Sequence, residues 1–112
     1  MTVEAELGEV VAERRLEART PDGRIREVVL RVGRPHPGAE EGIDWTCPGH
    51  VEGLGPAGVV PVHGVDSLQA LLLCLFRLRT SVESAAREQG AVLTWLGGED
   101  LALADATAGS TG

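Results

Sequence analysis

From Ser67 to Gln89 the chain contains neither glycine nor proline, in a sequence that carries fifteen of the first and six of the second. Within this stretch Leu68, Leu71, Leu72, Leu75, Leu78, Val82 and Ala85 recur at steps of three and four, the period of an amphipathic helix. Its start is marked by Asp66, a side chain suited to the N-cap, and by Gln69 three residues later, a capping box of the D-x-x-Q kind. Gly90 is a natural stop, because glycine takes the left-handed conformation at no steric cost. The spacing predicts one long helix over about 66–89. Leu73 and Phe76 fall outside the main stripe, so the first half is apolar over more than half its girth and is expected to be deeply buried. A single helix of this kind needs a partner layer.

The residues before it supply one. In "GEVVAERRLEARTPDGRIREVVLRVGRP" the even positions Val10, Ala12, Leu16 and Ala18 are apolar, and the odd positions Glu13, Arg15, Glu17 and Arg19 are charged. That period of two marks a half-buried strand. Arg14 breaks the pattern and is expected at a sheet edge or snorkelling. "TPDGR" is a turn in which Pro21 presets φ and Gly23 supplies a positive φ. The return arm puts Val28, Leu30 and Val32 on one face, with Glu27 and Arg31 on the other. Pro35 and Pro37 end that strand. "IDWTC" alternates again, Ile43, Trp45 and Cys47 inward and Asp44 and Thr46 outward, with "HVEGL" continuing past a bulge at Gly49 as one option. "VVPVHG" reads as a fourth strand, at an edge or bulged because of Pro61. "AVLTWL" reads as a short fifth strand, "GG" as a turn and "EDLAL" as a final short element. "ADATAGSTG", residues 104–112, is small and polar and reads as a disordered tail after a single domain over residues 1–103.

The expected architecture is therefore α+β: a mostly antiparallel sheet of four or five strands with the helix packed on one face. Leu68, Leu71, Leu72, Leu75 and Leu78 from the helix, and Val28, Leu30, Val32, Trp45, Val60 and Val62 from the sheet, are expected to form the core. Aliphatic residues must carry it, since Trp45, Trp95 and Phe76 are the only aromatics.

A formal charge of −7 disfavours contact with the phosphate backbones of nucleic acids and favours encounter with a basic protein partner. The acidic start "MTVEAELGE" has no features of a signal peptide, and the longest apolar runs fall far short of a membrane span of about twenty residues. Two cysteines are too few for a disulfide scaffold. A cytoplasmic protein with reduced thiols, not associated with membranes, is expected.

Several short motifs invite chemistry. "GLGPAG", residues 53–58, satisfies G-x-G-x-x-G, but a strand rather than a helix is expected to follow it, so it reads as a turn. "CPGH" has metal-ligand spacing through Cys47 and His50, with His36, His63 or Cys74 as further candidates. A zinc site needs about four ligands, usually from two such pairs, and here there is one. Cys47 with His50 or His63 also suggests a thiol nucleophile, yet no helix start follows Cys47 to lower its pKa. Glu99 and Asp100 are adjacent carboxylates, but neighbours on an extended chain point to opposite faces. "GVDSL" resembles the attachment site of an acyl carrier protein, in which Ser67 would carry phosphopantetheine. Strands rather than helices precede it here, and Asp66 and Ser67 are accounted for as a helix start.

Taken together, "DWTCP", "EGLG", "GVDSLQAL" and "LTWLGGEDL" resemble a family of small bacterial proteins known as a domain of unknown function, over about residues 12–101. The resemblance implies a unit complete at this length, with a dispensable tail after Leu103. It brings no activity, and no catalytic, cofactor or metal residue is assigned.

The reading that follows is a non-enzymatic partner-binding protein, such as a toxin-neutralising immunity protein or an accessory subunit. One alternative is a small-molecule-binding domain or enzyme built on the loops around residues 45–50 and 97–100. Another is a homo-oligomeric structural protein. Trp45, His50, Glu99 and Asp100 are the expected contact residues.

Overall fold

The alternation in the first third of the chain builds a long hairpin. A computed structural model, which describes residues 6–38, 42, 44–55 and 58–103, pairs β1 (Val10–Arg19) antiparallel with β2 (Ile25–Gly33), Leu16 opposite Val28 and Arg19 opposite Ile25. At the turn the Gly23 N–H donates to the Thr20 carbonyl at 2.9 Å, and Gly23 has φ 85°. The Thr20 hydroxyl donates to Asp22, and that bond is the main reason the Asp22 carboxyl sits below its ordinary range.

The remaining elements are β3 (His36–Pro37), β4 (Trp45–Glu52), β5 (Val59–Gly64), α1 (Ser67–Gln89) and β6 (Val92–Thr94). The six strands form one antiparallel sheet in the order β3-β4-β2-β1-β6, with β5 paired to β4. One edge of β4 lies along β5. The other is shared by β3, opposite Trp45 and Thr46, and β2, opposite residues 49–52. The expected four or five strands become six through the two-residue β3, while residues 100–103 form no regular element. Ile43 and the expected tail at 104–112 lie outside the described residues.

β4 runs straight through Gly49 with no bulge, although Pro48 sits in its middle. Pro48 is directly opposed to Pro61 of β5. Neither residue has an N–H, so the pair occupies a position where an antiparallel ladder exchanges no bond. On the other edge Pro48 falls between Thr46, paired to β3, and Gly49, paired to β2. The register would next set Pro48 against Gly33, whose carbonyl accepts from the Cys47 thiol at 3.4 Å instead.

α1 is capped as its sequence suggests. The Asp66 side chain accepts from the Gln69 N–H at 2.7 Å, and the Gln69 side-chain oxygen accepts from the Val65 N–H at 2.6 Å, one residue before the usual capping-box donor. Gly90, at φ 64°, returns its N–H to the carbonyls of Ala86 and Arg87.

The rotation of α1 about its axis departs from expectation. Its buried stripe is Ala70, Cys74, Leu78, Val82, Ala85 and Ala86, with Leu71 and Leu75 half-buried beside it. Leu68 and Leu72, expected in the core, are 61% and 50% exposed. Val60, expected on the sheet side of the core, is also exposed. The cause is a close approach. α1 lies over β4 and β5, where a Cβ added to Gly64 would meet the Ala70 nitrogen at 2.4 Å and one added to Gly49 would meet the Cys74 sulfur at 2.8 Å. A helix seated that tightly presents its small residues to the sheet, and the leucines are displaced to its flank and outer side.

Where α1 does not reach, residues 91–103 close the core: Ala91, Leu93, Trp95, Leu101 and Leu103 pack against Leu16, Ala18, Val28 and Leu30 or their neighbours. Arg14 belongs to this seam. Its guanidinium lies 3.8 Å from the Trp95 ring centroid and donates to the Leu101 carbonyl at 2.6 Å. The break in the alternation is thus a snorkelling cation over an indole. On the opposite face of the sheet, ion pairs Arg15–Glu13, Arg15–Glu27 and Arg31–Glu52 form a charged ladder. Val29, with Arg15 and Glu52 as its cross-strand neighbours, is buried at that face.

Candidate functional site

The sequence-derived contact residues do not converge. Trp45 and His50 both belong to β4 rather than to a loop, half-buried and on opposite faces, Trp45 against the core and His50 outward between Arg31 and Val59. Glu99 and Asp100 are exposed beyond β6, where an Asp100 oxygen accepts from the Ala102 N–H at 2.9 Å. β2 and β1 lie between β4 and β6. Three strand spacings amount to roughly 14 Å.

The Cys47-x-x-His50 spacing does not make a metal knuckle, because residues three apart on a strand face opposite sides. Cys47 points to the core, donating from its thiol to the Gly33 carbonyl at 3.4 Å, while His50 points away. Cys74 of α1 belongs to the same buried cluster as Cys47. Both are free and buried. Burial pushes the Cys47 thiol up. Cys74 is pushed up to about 12, by burial first and then by Cys47. Protonated thiols of this kind are poor nucleophiles and fill space as small apolar groups. His63 stacks across the outer face beside Thr46, their Nδ1 and Oγ1 atoms 3.1 Å apart, which accounts for the burial of a threonine expected to point outward. Among the described residues no group of three or more His, Cys, Asp or Glu is placed to hold a metal ion. β4 is followed by β5, not by a helix, with residues 56 and 57 of the G-x-G-x-x-G stretch outside the described residues, and Ser67 is the exposed first residue of α1.

The feature that stands out is the outer side of α1. Val65 is 70% exposed, Leu68 61%, Leu72 50%, Leu73 44% and Phe76 36%. Leu68, Leu72 and Phe76 follow the i, i+4, i+8 line of one helix face, and Leu73 and Val65 widen it. Soluble proteins scatter such residues singly, whereas here Leu68, Leu72, Leu73 and Phe76 share the first three turns and Val65 comes just before the N-cap. The signal was present in the sequence: Leu73 and Phe76 lie off the stripe that a one-sided helix needs. It indicated a second apolar face rather than deeper burial.

A family model described as a domain of unknown function (DUF6968) matches residues 12–104. The chain belongs to this family. The DUF6968 match begins inside β1, includes every later element and so contains the whole exposed face of α1. No curated protein and no solved structure matches the chain.

The same domain holds a cavity of about 200 Å³ between the β4–β5 pair and α1. Val51, Leu54, Val60, Val62 and Leu78 make its walls apolar, and Arg77 and Ser81 stand on its helix side. No described helix is long and apolar enough to cross a membrane.

Proposed function

We propose that this DUF6968 protein is non-enzymatic and works by binding another protein chain through the outer face of α1. The observation that carries the reading is the adjacency of Val65, Leu68, Leu72, Leu73 and Phe76 in solvent. Apolar surface of this extent is costly to leave wet, and helix faces anchored at i, i+4 and i+8 are a recurring mode of protein recognition. Phe76 gives the face an aromatic anchor of the kind that dominates interface energetics. The thiols support the non-catalytic part of the reading: both are protonated packing groups of the core. The net charge of −7 suits an accessory or immunity role, in which an acidic protein is drawn to a basic surface.

The test compares wild type with Leu72→Glu as baits in the native host. Glutamate is about as good a helix former as leucine, and the position is half exposed, so the variant is expected to fold. The reading requires a specific partner that wild type retains and Leu72→Glu loses at unchanged thermal stability. Equal retention by both baits contradicts it.

A second reading, a small-molecule-binding domain, is favoured by the cavity beside Arg77. Its apolar walls and single cationic side chain suit a small amphiphilic carboxylate.

A further inference from the structure

We infer that the outer face of α1 is occupied by a second copy of the same chain, the two helices packing antiparallel about Leu72. The inference rests on reading that face as a docking surface and goes on to name the occupant.

The exposed area suits a pair of identical chains. At their observed exposures the five apolar side chains offer on the order of 500 Å², the upper range for the largest patch on a monomer. A two-fold pair buries this surface on both copies, about 1,000 Å² of apolar contact before any polar rim is added. That reaches the threshold of a specific interface. It lies at the low end, so the association is reversible.

The face is also self-complementary. A two-fold axis at Leu72 sets Leu68 against Phe76 of the other copy, and Leu72 against itself. Small and large anchors then alternate along the seam. The same register brings Arg79 beside Val65 and Asp66 of the other copy, at the start of its α1. A parallel pair would instead set Arg79 against Arg79. Arg79 is held on its own copy by Glu83 at 3.2 Å and by the Leu103 carbonyl at 3.4 Å. The antiparallel pair avoids that like-charge contact and opposes the helix dipoles.

Salt dependence separates this occupant from an oppositely charged partner. Each copy carries −7, so the remainder of the two surfaces repels. Salt screens that repulsion, and association of like-charged copies through an apolar face tightens as salt rises. A basic partner held by charge shows the opposite dependence.

The experiment is sedimentation equilibrium of the full chain, wild type and Leu72→Glu, over a concentration series at low and high salt. Wild type is expected to reach the mass of two chains at about 100 µM, in keeping with a small reversible interface. Its association is expected to tighten several-fold in high salt. Leu72→Glu is expected to stay a single chain throughout. Orientation is read from oxidative cross-linking of Leu72→Cys and Arg87→Cys, since the native thiols of Cys47 and Cys74 are buried and do not compete. Leu72→Cys is expected to cross-link and Arg87→Cys is not. A wild type that remains a single chain overturns the second-copy inference. The docking reading is then judged separately by the host partner that Leu72→Glu loses. A dimer that Leu72→Glu leaves intact also overturns the second-copy inference. A dimer that loosens in salt, or that cross-links through Arg87→Cys, overturns the apolar antiparallel pair.

Discussion

Leu72→Ala and Leu78→Ala, compared in one urea series, decide which side of α1 builds the core. Leu78 is 5% exposed and lies against Gly49, where its Cδ2 would be 3.1 Å from an added Cβ. It also lines two cavities, of about 200 and 120 Å³, one on each flank of the helix. Truncation enlarges both, and the surrounding glycines and β-strand backbone have little room to collapse. The expected cost is about 4 kcal/mol, the upper part of the range for a buried leucine cut to alanine. Leu72 is 50% exposed. Only half of its roughly 2 kcal/mol of burial is at stake, and alanine recovers a few tenths as a better helix former, which leaves about 0.5–1 kcal/mol. At a slope of about 1.3 kcal/mol per molar urea, the two midpoints should separate by more than 2 M. The series is run at low protein concentration, so that self-association adds nothing to either value. Equal losses at the two positions, or a larger loss at Leu72, would mean that α1 is turned as its leucine stripe alone implies, and the exposed face would not exist.

Gly64→Ala tests the close seating of the helix on β5. The new methyl would meet the Ala70 nitrogen at 2.4 Å and its Cα at 2.8 Å, backbone atoms that move only with the helix. The expected loss is about 2–3 kcal/mol, measured by thermal or urea unfolding, and a neutral result refutes the seating. All ten basic residues are arginines and there is no tyrosine, so the thiols are the only side chains that titrate between about pH 9 and 12. Cys74 is raised from 9.0 to about 12 in the fold. The folded protein therefore holds its proton to higher pH than the unfolded chain, and stability is intact below pH 9 and falls as pH rises toward 12. The loss is at most about 4 kcal/mol from three units at roughly 1.4 each. Urea midpoints at pH 8 and pH 10.5 check it, and Cys74→Ala should flatten the dependence. For the cavity beside Arg77, a short fatty acid is expected to raise the melting temperature of wild type and to have a weaker effect on Arg77→Gln; equal shifts refute a role for the guanidinium.

What sequence made legible was local. Asp66, Gln69 and Gly90 set both ends of α1 because caps depend on residues within one turn. The β1–β2 hairpin followed from alternation and the Pro21–Gly23 turn. A single C-x-x-H pair already weighed against a zinc site, which usually draws on two. What remained hidden was set between elements. The rotation of α1 depends on Gly49 and Gly64, which lie on strands the helix pattern does not mention. Pro48 is tolerated inside β4 because Pro61 lies opposite and β2 gives way to β3 at that point. Trp45 and His50 are kept from Glu99 and Asp100 by strand order, which no period reveals. Arg14 looked like a fault in the strand until Trp95 was placed above it.

The two-faced helix is tested most directly by carbene footprinting of the intact chain at low and at high protein concentration, read at single residues. Leu72 and Phe76 should be labelled when dilute and protected when concentrated, with Leu78 unlabelled in both. Leu72 and Phe76 unlabelled when dilute, or labelled alike at both concentrations, would contradict the account.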